Sequence, residues 1–325
     1  MTRIIVTGVS VFVGSHLALA LKHQGYDVYG TIKHSTSRNM KELSSFIGDV
    51  VLLTCDITDY QSVFHTLKNV NPDVVVHLAA TSPVRESFDR PFSTIDANVV
   101  GTLNIAHSIL DLPDFSKKKL IYASTAEVYG IQKSSPIKED APHNPTSPYA
   151  CTKSMTDAYL RMMTPVYGLN TTIMRSTNTY GRKMDTSFFI EYLVYKMLNN
   201  EKVYIGAPDS IRDYMYVDDH VNGYIKAIEH AEIKGEAFNA GWGKGYTNKK
   251  VAFKIADMIG YDRNNIILGE YPPNYPLRPI ESDQPFIVLD NSKAKRVLGW
   301  EPKVKFDEGL KRTISFWKDK VGSGT

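Results

Sequence analysis

Tyr149 and Lys153 stand four residues apart in the segment Ser147-Pro148-Tyr149-Ala150-Cys151-Thr152-Lys153. In a helix that spacing puts both side chains on one face. The segment is written to begin a helix, with Ser147 as its cap and Pro148 in its first turn. A tyrosine with its ordinary pKa of about 10 is a useless base near neutrality, but an ammonium beside it favours the phenolate. Such a pair suits removal of an alcohol proton while a hydride leaves the same carbon for a nicotinamide, whose ribose the lysine can also hold. A Tyr-x-x-x-Lys spacing also arises by chance on helix surfaces. Its company here argues otherwise, because Ser124-Thr125-Ala126-Glu127 closes an apolar run at the end of a fifth strand, where open α/β sheets gather their catalytic groups.

The elements that must position these residues follow from the apolar pattern. Short apolar runs at 4–7, 28–32, 50–53, 74–78, 120–124 and 172–174 alternate with longer amphipathic stretches, the pattern of a parallel sheet wrapped by helices. Runs such as VVVHLAA are apolar continuously, as strands covered on both faces must be, and His77 within it reads as a core histidine rather than a ligand. After about residue 175 the rhythm loosens, and Pro and Gly cluster in GAPDS, GWGKG and YPPNYPLRPI. The expected fold is α/β: a Rossmann-type doubly wound parallel sheet with a smaller C-terminal α/β substrate domain. The dinucleotide domain is expected over 1–175, with returning segments near 210–240, and the substrate-binding domain mainly over 176–325. Lys117 to Lys119 read as a solvated loop before the next strand.

The first strand runs into Thr7-Gly8-Val9-Ser10-Val11-Phe12-Val13-Gly14, with a helix expected from near Phe12. At such a junction backbone N–H groups and the helix dipole meet a dinucleotide pyrophosphate, which makes Gly8, Phe12, Val13 and Gly14 candidate cofactor contacts. An ordinary tight turn, with Gly14 permitting close helix packing, is the alternative. Val11 occupies the middle glycine of a T-G-x-x-G-x-x-G pattern. A β-branched residue does not take positive φ cheaply, so either the turn sits at negative φ there or pyrophosphate binding is weakened. For NAD, a carboxylate is expected about 20 residues on to hold the ribose 2′-hydroxyl. The chain offers Lys33, His34, Ser35 and Arg38 instead. Cationic and hydroxyl groups suit a 2′-phosphate, so NADP is expected, with NAD and a merely solvated basic loop left open. Asp56 and Ile57, just past the third strand, are candidates for the adenine edge.

Bulk properties narrow the function classes. At 325 residues, 42% hydrophobic and 22% charged, the chain can bury a sizeable core, and a formal charge of +3 is too small to indicate nucleic acid or a membrane surface as partner. With no signal-peptide pattern and no apolar run of about 18 residues, a cytoplasmic location is expected. The two cysteines, Cys55 and Cys151, suggest no disulfide framework and read as buried thiols. No His, Cys and carboxylate spacing resembles a metal site, so none is expected.

The motifs TGVSVFVG, CDI, HLAATSPVRES, NVVGTLN, ASTAEVYG, SPYACTK, RSTNTYG, RDYMYVDD and VLDNSKAKRVLGWEPKVKFDEGL follow one another along almost the whole chain. In this order they resemble the extended short-chain dehydrogenase/reductase family, specifically its nucleotide-sugar epimerases and dehydratases. The resemblance implies oxidation at C4 of a nucleotide-bound hexose, with Tyr149, Lys153 and Thr125 catalytic. It places Leu78, Ala79, Ala80 and Asn98 at the cofactor, Asn98 as an organiser of the site. Ser82, Thr125, Asn178, Arg212 and Arg278 would meet the substrate, the arginines clamping its diphosphate or else forming salt bridges between domains. A homodimer through the helix beginning at Tyr149 and its neighbour is also implied.

Glu127 resembles the glutamate of the 4,6-dehydratases, where a base takes the C5 proton that the 4-keto group acidifies; a solvated strand-end carboxylate is the alternative. Ala126 departs from the S-T-D-E pattern of dTDP-glucose dehydratases, and S-T-A-E together with Ile32-Lys33-His34-Ser35 is closer to the S-T-S-E and I-R-R-S of GDP-mannose 4,6-dehydratases. A 4-epimerase, a reductase of GDP-4-keto-6-deoxymannose and a UDP-glucuronate decarboxylase remain alternatives, the last weakened because Arg182 stands one position early for N-T-Y-G-P-R. A non-enzymatic NADP sensor or scaffold is encouraged only by Val11.

Overall fold

The six apolar runs form six parallel strands, and most of the amphipathic stretches between them form helices. The computed structural model describes residues 1–33, 47–182, 185–231, 233–273, 275 and 279–322. Its first half runs β1 (Arg3–Thr7), α1 (Phe12–His23), β2 (Asp27–Ile32), β3 (Val51–Thr54), α2 (Tyr60–Val70), β4 (Val74–His77), α3 (Val84–Asp89), α4 (Pro91–Ile95), a π-helical turn at Asp96–Val100, α5 (Gly101–Leu110), β5 (Lys119–Thr125), α6 (Pro148–Tyr167) and β6 (Asn170–Ser176). The second half adds β7 (Asn178–Tyr180), α7 (Phe189–Leu198), β8 (Val203–Ile205), β9 (Ile211–Tyr216), α8 (Val217–Glu229), β10 (Glu236–Ala240), β11 (Gly245–Thr247), α9 (Asn248–Ile259), β12 (Ile266–Leu268), β13 (Phe286–Ile287), α10 (Ser292–Leu298) and α11 (Phe306–Gly322).

The central sheet has the order β10-β6-β5-β4-β1-β2-β3, and each neighbouring pair in it is parallel. The order reverses between β1 and β4, which opens a crevice at the carboxyl ends of those strands. Side chains alternate across the sheet as the strand period demands. Ile4, Val6, Val74, Val76 and Ile121 join α1 and α8 in one core. Ile5, Val75, Leu120 and Tyr122 join α2, α5 and α6 in the other. Fully burying a Val, Leu or Ile side chain is worth roughly 1.5–3 kcal/mol, so these two layers supply the main driving force. β6 is longer than its apolar run because β5 and β10 bond it on both edges. The strand β10, with the sequence EAFNA, carries too short an apolar signal to be read as a strand without its partner.

The second half builds smaller sheets over the crevice: β11-β9-β13, with β7 also on β9, and the pair β12-β8. Two readings of the sequence need correction. Lys117 is exposed and pairs with Asp114, but Lys118 and Lys119 are buried. Lys119 opens β5, and its Nζ reaches the Ala227 and His230 carbonyls, the negative end of α8, where an ammonium is favoured. Cys55 is buried as expected, whereas Cys151 is exposed. The inner face of α6 is taken by Tyr149, Lys153, Thr156, Leu160 and Met163, which leaves Cys151 on the outer one. Among the described residues no helix is long and apolar enough to cross a membrane, and no group of three or more His, Cys, Asp or Glu could hold a metal.

Candidate active site

The turn after β1 opens the site. Gly8 has φ of +72°, and a Cβ there would lie 2.9 Å from the Ala79 backbone; a Cβ on Gly14 would lie 2.3 Å from the Gly8 carbonyl. Both glycines are therefore required, Gly8 by conformation and Gly14 by close approach. Val11 adopts φ of −95° and ψ of 167° and supplies no side-chain cap to α1. The missing glycine thus carries no backbone strain, and of the two alternatives the turn at negative φ is the one observed. Phe12 and Val13 line a cleft with Val11, and α1 has no acidic residue in its first turn. An uncapped helix start approached through two cramped glycines fits a pyrophosphate.

Beyond β2, Lys33 is ion-paired with Asp56 at 3.2 Å, and Asp56 also accepts from the Thr58 amide and hydroxyl. Burial pushes the Asp56 carboxyl up, but these bonds outweigh it and hold it below its ordinary value. The Ile57 carbonyl is taken by Asn104. His34, Ser35 and Arg38 lie outside the described residues, as does Arg278.

A buried chain of hydrogen bonds ties this turn to the start of α6. Thr7 Oγ1 accepts from the Leu78 and Ala79 amides, so its own proton goes to His77 Nδ1, 2.7 Å away. That leaves His77 Nε2 to donate to Thr102, whose hydroxyl donates to the Asn98 carbonyl. The Asn98 amide in turn holds both backbone groups of Thr81 and donates to Thr152, and Thr152 bonds the Tyr149 carbonyl. Burial lowers His77 to about 3, which keeps it the neutral strut of a core. Asn98 is fully buried and is not among the residues lining the cleft.

The cleft has a volume of about 270 Å³, and its lining includes Leu78, Ala80, Ser82, Thr125, Glu127, Tyr149, Lys153 and Asn178. The pieces read separately from the sequence therefore meet. Ser147 caps α6 through a bond from the Ala150 amide, and Pro148 follows at its start. Thr125 ends β5 and caps the short turn Ala126–Tyr129 by accepting from the Glu127 amide. Burial pushes the Tyr149 hydroxyl well above its ordinary pKa; a hydrogen bond with Thr125 pulls it down and the Glu127 charge pushes it up. Lys153 does not help Tyr149 in the direct way expected. Its Nζ donates to the Ala123 carbonyl at 2.8 Å and lies over the Tyr122 ring. Burial lowers it to about 7, so it stands ready to be charged by a ligand.

Several residues of the site were not legible beforehand. On the wall formed by the end of β6 and the start of α8, His220 bonds Ser176 at 2.6 Å and Thr179 at 2.7 Å, and burial lowers it to about 3. Phe188, Phe189 and Glu191 line the same cleft from the start of α7; Glu191 accepts from the Gly181 amide. The only prior signal for this wall was that RSTNTYG and RDYMYVDD flank it in the sequence. Arg212 is not among the residues lining the cleft. It pairs with Asp283 at 2.9 Å, the salt-bridge alternative, and ties β9 to the segment before β13.

Comparisons with known proteins give the family. The profile of the family described as GDP-mannose 4,6 dehydratase matches residues 5–313. The UDP-glucose 4-epimerase of Mycolicibacterium smegmatis is 31% identical over 327 residues, covering 98% of this chain and 99% of that protein. The chain belongs to the extended short-chain dehydrogenase/reductase family of nucleotide-sugar epimerases and dehydratases.

Solved members of this epimerase/dehydratase family superpose along their whole length. The UDP-glucose 4-epimerase of Thermotoga maritima, solved with UDP-glucose, has a TM-score of 0.87 at 30% identity over 98% of this chain and 100% of its own. The dTDP-glucose 4,6-dehydratase of Streptomyces venezuelae, solved with NAD, has a TM-score of 0.87 at 26% identity over 99% and 98%. As a member of this family of NAD-dependent dehydratases and epimerases, the protein is an enzyme.

Proposed function

We propose that this enzyme is a nucleotide-sugar 4,6-dehydratase of the GDP-mannose type, using NADP, with NAD as the alternative because solved relatives bind it. One observation carries the reading: Glu127 lines the same cleft as Tyr149 and is close enough for its charge to be felt at the Tyr149 hydroxyl. An epimerase needs only the C4 step, whereas elimination of water needs a second base. A bound dinucleotide would supply a hydride acceptor for C4 and a hydride donor for C6, with no net redox change. Gly8, Gly14 and the start of α1 would hold its pyrophosphate, and Lys153 its ribose.

Tyr149, bonded to Thr125, is the group placed to take the proton of the C4 hydroxyl once ionised, and the positive charge of a bound oxidised dinucleotide would favour that phenolate against the burial that opposes it. Glu127 then takes the C5 proton. The C5–H and C6–O bonds break, a C5=C6 bond forms, and the departing C6 hydroxide takes the proton now on the Glu127 carboxyl and leaves as water; hydride at C6 and a proton from water at C5 complete the 4-keto-6-deoxy sugar. Ser82 and Asn178 stand in the cleft as contacts for the sugar and diphosphate. The division into a dinucleotide domain over 1–175 and a substrate domain over 176–325 belongs to the same reading. So does a cytoplasmic homodimer: Met155 on α6, together with Phe92, Ile95 and Val100 beside it, leaves large apolar side chains exposed.

Incubation with GDP-mannose, dTDP-glucose, UDP-glucose and UDP-glucuronate, followed by mass analysis, tests the assignment. The expected product is dehydrated GDP-mannose. An isomer of unchanged mass from a UDP-sugar supports the epimerase reading instead, to which the epimerase relatives lend weight. Glu127→Gln is expected to permit C4 oxidation and block loss of water; full product from that variant defeats the dehydratase mechanism.

A further inference from the structure

A side chain that holds Glu127 comes from the far end of the chain. Gln284 is only 2% exposed, and its Nε2 donates to Glu127 Oε2 at 2.8 Å across 157 residues of sequence. The same Nε2 lies 3.5 Å from Thr146 Oγ1. The residues on either side of Gln284 are fastened. Thr146 donates to the Ser282 carbonyl, Asp283 pairs with Arg212, and the Pro285 carbonyl accepts from the Ile211 amide. The amide is thus delivered to Glu127 by a segment pinned to β9 and to the approach of α6. Its other atom, Oε1, is buried with no hydrogen-bond partner among the described residues. A buried carbonyl oxygen left unbonded is disfavoured, and one placed beside a carboxylate has a use when that carboxylate gains a proton.

We propose that Gln284 is a positioning residue for the second proton transfer: its amide N–H holds the Glu127 carboxylate as a base and, once the C5 proton has been taken, the amide turns over so that Oε1 accepts from the protonated carboxyl. The proposal rests on the reading of Glu127 as the base at C5. An amide suits both states because it carries a donor and an acceptor on one planar group. A carboxylate in its place would repel Glu127, and a lysine would hold it ionised too firmly to keep a proton. Among the described residues, the other titratable groups near this contact include Tyr149, which faces Glu127 from α6, and the Arg212–Asp283 pair, adjacent to Gln284 in sequence. A role confined to Glu127 leaves the C4 step alone.

The test compares Gln284→Met, which keeps the volume without polar atoms, and Gln284→Glu with the unaltered enzyme and Glu127→Gln. Three quantities are read on the full chain: the pH profile of dehydration, single-turnover C4 oxidation, and the titration of the Glu127 carboxyl by carbon-13 NMR without substrate. For Gln284→Met the expected result is a fall of about tenfold in kcat for dehydration near neutral pH, as for loss of one hydrogen bond to a charged group. Its acid limb and the Glu127 titration move together to higher pH, while KM and C4 oxidation stay within about twofold. Gln284→Glu moves both further in the same direction. If Glu127→Gln blocks dehydration but neither Gln284 variant moves the acid limb or the carboxyl titration, the role of Gln284 is overturned alone. If Glu127→Gln dehydrates normally, the reading of Glu127 fails and the proposal with it. Should Gln284→Met fail to fold, Gln284→Glu and the carbon-13 titration decide.

Discussion

Lys153 and Asp157 lie one turn apart on α6, both buried, and the protein treats their charges in opposite ways. Asp157 accepts two bonds from the Arg175 guanidinium at 2.8 and 2.9 Å and one from Ser124 at 3.0 Å. Arg175 also donates to Tyr129 and to the Glu139 carbonyl. Burial pushes the Asp157 carboxyl up, yet the Arg175 bonds and charge outweigh it and hold the group below the usual carboxylate range. Lys153 is given one carbonyl and the face of a ring, and burial lowers it to about 7. A buried charge that serves the fold is compensated within the protein. One that serves chemistry is left short of partners, so that a ligand can complete it.

The largest effect expected from this contrast is on stability. Asp157→Asn leaves the Arg175 guanidinium buried without its partner and should lower the unfolding free energy by about 3–5 kcal/mol, measured by denaturant titration. Because Asp157 titrates lower in the folded protein than in the unfolded chain, its contribution is complete above an unfolded pKa of about 3.9. It is lost as pH falls through the folded value, and the variant should lack this acid-side dependence. A loss below about 1 kcal/mol breaks the comparison.

Lys153→Met should behave in the reverse sense. Turnover is expected to fall by about 10²-fold or more, while the ligand-free protein becomes more stable at and below neutral pH. The folded protein releases the Lys153 proton near pH 7, whereas the unfolded chain keeps it to about pH 10.4. Unfolding therefore takes up a proton between those values, and the stability of the unaltered protein climbs with pH through that window. The advantage of Lys153→Met should fade over the same range in urea midpoints. A variant less stable at every pH would show that Lys153 is structural after all.

The smallest effect sharpens which arginine matters. Arg161 also bonds Asp157 at 3.0 Å, but its side chain is 44% exposed. Arg161→Ala should cost about 0–1 kcal/mol, read in the same denaturant experiment. A cost comparable to that of Asp157→Asn would move the compensation from the core to the surface.

Much of the sheet and the shared face of Tyr149 and Lys153 were legible because their signals are local. A covered strand must be apolar throughout, a helix start needs a cap, and a Tyr and Lys four apart share a face wherever the helix goes. Val11 shows the limit of local reading: residue type left two backbone conformations open, and the structure chose the unstrained one. The burial of Lys118 and Lys119 was invisible because their partners are remote: Lys118 bonds Asn71 and the Pro72 carbonyl, and Lys119 reaches carbonyls at the end of α8, more than a hundred residues later. Arg212 was expected at a diphosphate from the company its motif keeps, yet its observed partner, Asp283, lies on a distant segment.

By itself, the order of residues determined that six strands alternate with helices in a parallel sheet, that a glycine-bearing turn joins the first strand to a helix, and that Thr125 closes a strand while Tyr149 and Lys153 share one helix face. Each of those depends on backbone preferences and side-chain periods acting within a few residues. Only the tertiary structure decided that Lys153 would sit under-compensated, that His220 would bridge two hydroxyls, and that Gln284 would reach Glu127. Desolvation and hydrogen-bond partnership are properties of what surrounds a group. Its surroundings are assembled from strands and loops that lie far apart along the chain.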